Sequence, residues 1–191
     1  KRELYMSRIR PFIGGELIKV MTGIRRSGKS VMLDLIKEEL VESGIDSAQF
    51  ISINFEDMRY AYLCNAQVLH EEILHRAETI QGKVYLFFDE IQEVKDWEKC
   101  INSLRVALDC DIYITGSNAK LLSGELATYL GGRYVEFVIY PFSFAEFLEL
   151  YQPIAPQASI QQCFQKYLLS GGMPYLANLR YAEEPSRQYL T

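Results

Sequence analysis

The stretch Gly23-Ile24-Arg25-Arg26-Ser27-Gly28-Lys29-Ser30 constrains this chain more than any other part of its sequence. It fills every fixed position of the phosphate-binding pattern G-x-x-x-x-G-K-[ST], the P-loop. An apolar run over 17–22 precedes it, and apolar residues at helical spacing follow it over 31–40. The motif therefore lies between a predicted strand and a predicted helix, which is the context in which such a loop binds phosphate.

Each part of this loop has a predicted task. Glycines let backbone N–H groups approach phosphates closely, and the helix that follows points its positive end at the same anion. Lys29 is the candidate cation for the β- and γ-phosphates of ATP, and the Ser30 hydroxyl is a candidate Mg²⁺ ligand. Arg25 and Arg26 touch phosphate or a neighbouring subunit, or are simply solvated loop arginines. The predicted nucleotide contacts are Gly23, Ile24, Arg25, Arg26, Ser27, Gly28, Lys29, Ser30 and Val31.

The composition is that of a globular protein: 191 residues, 49% hydrophobic and 24% charged. This length suits one α/β domain with a small appendage. The net charge of −5 carries no overall basic signature for nucleic acid. The four cysteines lack CxxC spacing, so we expect reduced thiols and a cytoplasmic protein. No apolar stretch reaches the length of about 18 residues that a membrane span needs, so no membrane partner is expected.

A second motif ends in two carboxylates. The apolar run over 83–88 predicts a strand buried on both faces, and Asp89 and Glu90 follow it. Acidic strand ends are common, but one βα unit after a P-loop this is the Walker B pattern. Asp89 is then expected to hold the Mg²⁺ shell, and Glu90 to orient and deprotonate the attacking water.

Two further sites follow later strands. Ser117 comes after the predicted strand over 111–115 and is a candidate sensor of the γ-phosphate, with Asn118 as the next choice; an N-cap for a following helix is the alternative. Arg133 follows Gly131-Gly132 and is a candidate arginine finger, acting on its own site or on a neighbour's. A solvated arginine would fit the same spacing.

These motifs together resemble the prokaryotic AAA-type ATPases of the archaeal/STAND-related clade. The resemblance rests on Thr22-Gly23 through Lys29-Ser30, Phe88-Asp89-Glu90-Ile91-Gln92, Thr115-Gly116-Ser117-Asn118, Leu130-Gly131-Gly132-Arg133, Tyr140-Pro141-Phe142-Ser143-Phe144 and Gly171-Gly172-Met173-Pro174. It implies an α/β P-loop NTPase fold with five parallel strands in the order 5-1-4-3-2, flanked by helices. It also implies an ATPase core over 1–152 and, over 153–191, the start of a helical or winged-helix-like lid, with a C-terminal domain beyond it.

The expected activity is Mg²⁺-dependent hydrolysis of ATP coupled to conformational change. The alternative is a nucleotide-gated switch in which slow hydrolysis controls the docking of a protein or DNA partner, and a DNA-processing module is a third hypothesis. Such a partner would act through the C-terminal region, and a homo-oligomer stays open.

Overall fold

A computed structural model describes residues 2–117 and 130–172 of the chain. These residues divide between two compact units. The described residues within Lys1–Gly23 and Lys29–Val138 form one, and those within Ile24–Gly28 and Ile139–Thr191 form the other.

The first unit is built on five parallel strands: β1 (Ile18–Gly23), β2 (Phe50–Asn54), β3 (Val84–Asp89), β4 (Cys110–Ser117) and β5 (Tyr134–Val138). Their order across the sheet is β2-β3-β4-β1-β5, which is the predicted order read from the other edge. All residues of β1 and β3 are buried, as expected for central strands of a parallel sheet that is covered on both faces. The predicted fold is confirmed.

Helices α1 (Glu3–Ile9), α2 (Lys29–Glu42), α3 (Ala66–Ala77) and α4 (Trp97–Ala107) belong to this unit. Asn65 caps α3 by accepting N–H bonds from Gln67 at 3.0 Å and Val68 at 3.3 Å. The buried residues of α4 recur at helical spacing, and they pack with α3 against one face of the sheet. The core on this face includes Ile73, Leu86, Phe88, Trp97, Ile101, Leu104, Ile112 and Ile114.

The opposite face of the sheet carries Phe87 and Tyr113, whose rings stack with their centres 5.0 Å apart. Helix α2 covers this face, with Lys37 Nζ lying 5.2 Å from the Phe87 ring centre. Lys19 and Asp111 form a fully buried ion pair at the start of β1 and β4. The carboxylate of Asp111 also accepts the Tyr113 hydroxyl and the Gly14 N–H, each at 2.7 Å, so three donors compensate for the burial of this charge.

The described part of the second unit contains helices α5 (Phe144–Tyr151) and α6 (Ile160–Ser170). Each begins with a capping box, Ser143 with Glu146 and Ser159 with Gln162. The Phe147 ring of α5 lies 5.3 Å from the Tyr167 ring of α6, and Phe147 is fully buried. Helix α5 packs with α6 within this second unit. The division into an ATPase core over 1–152 and a lid over 153–191 stays a prediction.

None of the helices in the described ranges combines enough length with enough apolar character to span a bilayer. The cysteines Cys64, Cys100, Cys110 and Cys163 are all free thiols. Cys100 and Cys163 are buried.

Candidate functional site

The candidate site lies where strands β1, β3 and β4 end. Gly23 ends β1, Asp89 ends β3 and Ser117 ends β4. Gly23 and Ser117 are directly paired across the two strands. Helix α2 begins at Lys29, so the last two residues of the phosphate-binding pattern form the start of the helix. The carboxyl edge of a parallel sheet is the usual place for a ligand in this class of fold.

The loop over 24–28 turns tightly, with the N–H of Ser27 donating to the carbonyl of Ile24 at 3.2 Å. Arg26 and Gly28 have φ angles of 67° and 97°. These angles are easy for glycine and uncommon for other residues. An arginine in the left-handed region is a strained conformation of the kind that clusters at ligand-binding loops.

Lys29 is almost fully buried, with 4% of its surface exposed. Its ammonium Nζ lies 3.4 Å from the carbonyl of Gly23 and 3.3 Å from Glu90 Oε1. The two charged residues predicted from separate motifs are therefore in direct contact. A buried ammonium that contacts one carboxylate is a strong local cation for an incoming anion, because little water screens it.

The carboxylate of Asp89 is buried, and Thr115 of β4 holds it. The Thr115 hydroxyl donates to Asp89 Oδ1 and accepts the backbone N–H of Glu90 at 3.0 Å. One side chain thus fixes both acidic residues at the end of β3. The sequence prediction did not single out Thr115. The sequence feature that could have identified it is its position just before Gly116-Ser117, in a strand expected to lie beside β3.

Glu90 adopts the left-handed conformation, with φ of 54° and ψ of 50°. Its carboxylate Oε1 faces Lys29, and its Oε2 accepts the Gln92 side-chain N–H at 2.6 Å. Gln92 was quoted in the sequence motif without a role. Only the turn after β3 brings its amide back toward Glu90, so spacing alone carried no signal.

A cavity of about 190 Å³ opens beside Asp89. Its lining includes both residues predicted to hold Mg²⁺, Ser30 of α2 and Asp89 of β3. The rest of the lining comes from α2 and β2: Leu33, Asp34, Lys37, Ser52, Ile53 and Asn54. Mg²⁺ commonly takes one or two oxygen ligands from the protein and completes its shell with phosphate and water. One hydroxyl and one carboxylate facing the same cavity fit that requirement.

Ser117 lies at the carboxyl edge of the sheet, where a sensor is expected, whereas Arg133 lies away from the site. The carbonyl of Arg133 accepts the N–H of Ile18, which begins β1. Gly23 lies at the other end of this six-residue strand, about 16 Å away at the usual strand rise. An arginine side chain does not span that distance, so the structure does not bring Arg133 to its own chain's site. Asn118 lies outside the described residues.

A family model described as an AAA domain, AAA_14, matches residues 16–148. The chain belongs to this AAA family. The match covers the whole parallel sheet, so every residue of the candidate site in the first unit falls within the AAA domain. This membership confirms the AAA-type prediction and supports nucleotide binding.

Individual proteins agree with this assignment. The chain is 42% identical to an uncharacterised protein of Haemophilus influenzae over 187 residues, which is 98% of this chain and 46% of the relative. The chain therefore spans about half the length of that relative. Two solved structures share the fold at low identity. Cdc6p of Pyrobaculum aerophilum has a TM-score of 0.61 at 13% identity, over 98% of this chain and 62% of its own. The Aeropyrum pernix Orc1 protein, in complex with DNA, has a TM-score of 0.56 at 14% identity, over 99% and 65%.

Proposed function

We propose that this AAA domain binds ATP, hydrolyses its β–γ phosphoanhydride with Mg²⁺ and couples the reaction to a conformational change. The observation that carries the proposal is the contact between Lys29 and Glu90 beside a cavity lined by Ser30 and Asp89. A cation for phosphate, a carboxylate for water and oxygen ligands for a metal then meet at one sheet edge. These are the parts that P-loop hydrolysis requires.

Binding falls to the loop and to the start of α2. We propose that the backbone N–H groups from Gly23 to Val31 contact the phosphates and that Lys29 neutralises the β- and γ-phosphates. Ile24 and Val31 are about half exposed, so their side chains add little and their backbones are the relevant groups. The positive end of α2, a helix of 14 residues, favours the same charge.

Ser30 and Asp89 are the proposed Mg²⁺ ligands. The metal, when bound, would neutralise negative charge that develops on the phosphate oxygens. Thr115 holds Asp89 in one orientation, which spares the carboxylate from reorganising when the metal arrives. This pre-orientation resembles the outer-shell hydrogen bonds that support metal ligands in other proteins.

Glu90 is the proposed general base. Its carboxylate takes a proton from water as the water oxygen bonds to the γ-phosphorus, and the bond to the β–γ bridging oxygen breaks to give ADP and inorganic phosphate. Ser117, paired with Gly23 across the sheet, is the proposed sensor that contacts the γ-phosphate. Arg133, on an exposed turn at the opposite edge, is proposed to act on the site of a neighbouring copy in a homo-oligomer.

A single-turnover assay with excess protein and radiolabelled ATP tests hydrolysis. We expect turnover that needs Mg²⁺ and that falls by about 10²- to 10⁴-fold in Glu90→Gln, because a neutral amide cannot accept the proton. The matched control is Glu93→Gln, an exposed carboxylate in the same turn, which should retain the wild-type rate. Tight ATP binding without turnover, unaffected by Glu90→Gln, would contradict the enzyme proposal.

That contradictory outcome is the one expected of the alternative, a nucleotide-gated switch. The pairing of Glu90 with Lys29 favours it, since a phosphate that attracts Lys29 also displaces Glu90.

The partner of such a switch would be DNA or protein. It would be reached through the C-terminal domain proposed from the archaeal/STAND-related resemblance, which would follow a winged-helix-like lid. The Orc1 structure contains DNA, so a DNA partner is a specific case, and it predicts binding that weakens steeply with salt. Unchanged DNA mobility at low salt would exclude it.

We also propose a cytoplasmic protein, consistent with four free thiols.

A further inference from the structure

The backbone of Glu90 is held from two directions. Its N–H donates to Thr115 Oγ1 at 3.0 Å, and its carbonyl accepts the N–H of Glu93 at 3.1 Å. Between these bonds the residue keeps a left-handed φ of 54°, a conformation that persists only where its surroundings determine it. The direction of the side chain is then decided by what holds the carboxylate.

Two groups hold it, one at each oxygen. Lys29 Nζ lies 3.3 Å from Oε1, and Gln92 Nε2 donates to Oε2 at 2.6 Å. The contacts differ in kind, because the lysine is a mobile cation that phosphate also attracts, while the glutamine is neutral. Phosphate binding draws Lys29 away from Glu90, and the bond from Gln92 then remains.

The other end of the Gln92 amide supports a role in the site. Gln92 Oε1 is buried and has no hydrogen-bond partner among the described residues. A buried acceptor without a donor is destabilising, and an apolar side chain of the same length would avoid that cost. Rotating the amide would turn Oε1 toward the carboxylate and oppose like partial charges. The observed orientation therefore serves the contact with Glu90.

We propose that Gln92 is a positioning residue that keeps the Glu90 carboxylate directed at the attacking water after Lys29 has moved to the phosphates. This inference rests on the proposed ATPase function and deepens it. Gln92 does not touch the reacting atoms, so its contribution is to geometry. Misplacing a catalytic group by about 1 Å can cost a factor of 10² in rate, which sets the size of the expected effect.

The test compares Gln92→Met with wild type, because methionine matches the length of glutamine and lacks the donor. We expect kcat to fall about 10- to 100-fold, with KM and the Kd for a fluorescent ATP analogue within twofold. Gln67→Met is the matched control, since Gln67 Nε2 donates to Glu71 Oε1 at 3.1 Å on the exposed face of α3. It should leave kcat unchanged. Thermal unfolding of both variants shows whether they fold.

A double-mutant cycle identifies the residue through which Gln92 acts. In a Glu90→Gln background, Gln92→Met should cause no further loss, because the carboxylate it positions is gone. The side-chain amide signal of Gln92, assigned in NMR spectra by its loss in Gln92→Met, should persist when a non-hydrolysable ATP analogue binds. This signal reports the contact without any turnover.

Three results would overturn the inference. These are a kcat for Gln92→Met within twofold of wild type, an undiminished loss in the Glu90→Gln background, or an amide signal that disappears when the analogue binds. In each case Glu90-dependent turnover by the wild type leaves the proposed function standing. Failure of the wild type to bind nucleotide removes the proposed function and this inference together, so the two failures are distinguishable.

Discussion

Lys29 Nζ lies 3.3 Å from Glu90 Oε1, and only 3% of the lysine side chain and 14% of the glutamate side chain are exposed. The residue proposed to bind phosphate and the residue proposed to activate water are therefore each other's charge partner. With so little solvent around them, the pair is weakly screened by salt. In the proposed cycle phosphate competes with Glu90 for Lys29, which links nucleotide binding to the state of Glu90.

The first prediction concerns affinity. Glu90→Gln removes the negative charge that competes with phosphate for Lys29, so ATP should bind several-fold more tightly even as hydrolysis is lost. Titration of a fluorescent ATP analogue measures this, and Glu93→Gln should bind as the wild type does. Weaker binding by Glu90→Gln would show that the carboxylate does not compete with phosphate.

Thr115→Val should affect both metal binding and stability. The substitution removes a hydroxyl that donates to Asp89 and accepts from Glu90, and it leaves two groups without that partner. We expect the free energy of unfolding to fall by about 1–3 kcal/mol. We also expect the Mg²⁺ concentration for half-maximal nucleotide binding to rise. Urea denaturation and Mg²⁺ titration measure the two effects. Thr115→Ser keeps the hydroxyl and should restore Mg²⁺ dependence. Equal behaviour of the two variants would rule out this hydroxyl role.

The buried pair of Lys19 and Asp111 should contribute to the stability of the fold and should not affect nucleotide affinity. Lys19→Met leaves a buried carboxylate without its cation, which typically costs about 3–5 kcal/mol. Lys83→Met breaks the more exposed pair with Asp109 and should cost at most about 1 kcal/mol. Urea denaturation compares the two variants. Because Lys19 lies at the start of β1, the ATP affinity of folded Lys19→Met should equal that of wild type; a large change would contradict this separation.

The contribution of the Cys100 thiol to the free energy of unfolding should be lost at alkaline pH. Burial raises the pKa of this thiol from 9.0 to about 12. Between these pH values the unfolded chain loses the proton while the folded chain keeps it, so this contribution to stability, full below pH 9, is lost as the pH rises. The slope approaches about 1.4 kcal/mol per pH unit.

Unfolding by urea from pH 8 to 11, in wild type and Cys100→Ala, measures that contribution. The difference between the two proteins isolates the thiol, since Lys19 and Tyr113 also have shifted pKa values and are common to both. Burial lowers the pKa of Lys19 against the opposing effect of Asp111, and burial raises that of Tyr113. Parallel curves for the two proteins would contradict the prediction.

Arg133 should act between copies if it acts on nucleotide at all. We expect Arg133→Ala to lower turnover, and mixing it with Glu90→Gln to restore part of the activity, because one mixed interface would carry both intact residues. Arg8→Ala, another exposed arginine, is the matched control. A mixture no more active than its components would exclude action on a neighbouring site.

Local sequence was sufficient to predict the strands and the polar residues at their carboxyl ends, and the resemblance to AAA-type ATPases implied the order of the sheet. Lys29, Asp89 and Ser117 were predictable because a parallel sheet collects its strand ends at one edge. The same rule, applied to the residue before β5, would have placed Arg133 at the opposite edge. Two roles in the site required the tertiary structure. Thr115 lies 25 residues from Glu90 in sequence, and Gln92 reaches back to Glu90 only through the turn after β3.

The sequence by itself determined that this protein has a P-loop followed by an acidic strand end, since the spacing of the glycines, the lysine and the carboxylates is a local property of the chain. The assignment to the AAA family came from comparison with other proteins. Only the tertiary structure decided that Lys29 and Glu90 are partners, that Thr115 holds Asp89 and that Lys19 is buried against Asp111. Hydrogen bonds and ion pairs act over about 3–4 Å. Whether two side chains come that close depends on strand register and helix packing, which no single stretch of sequence contains.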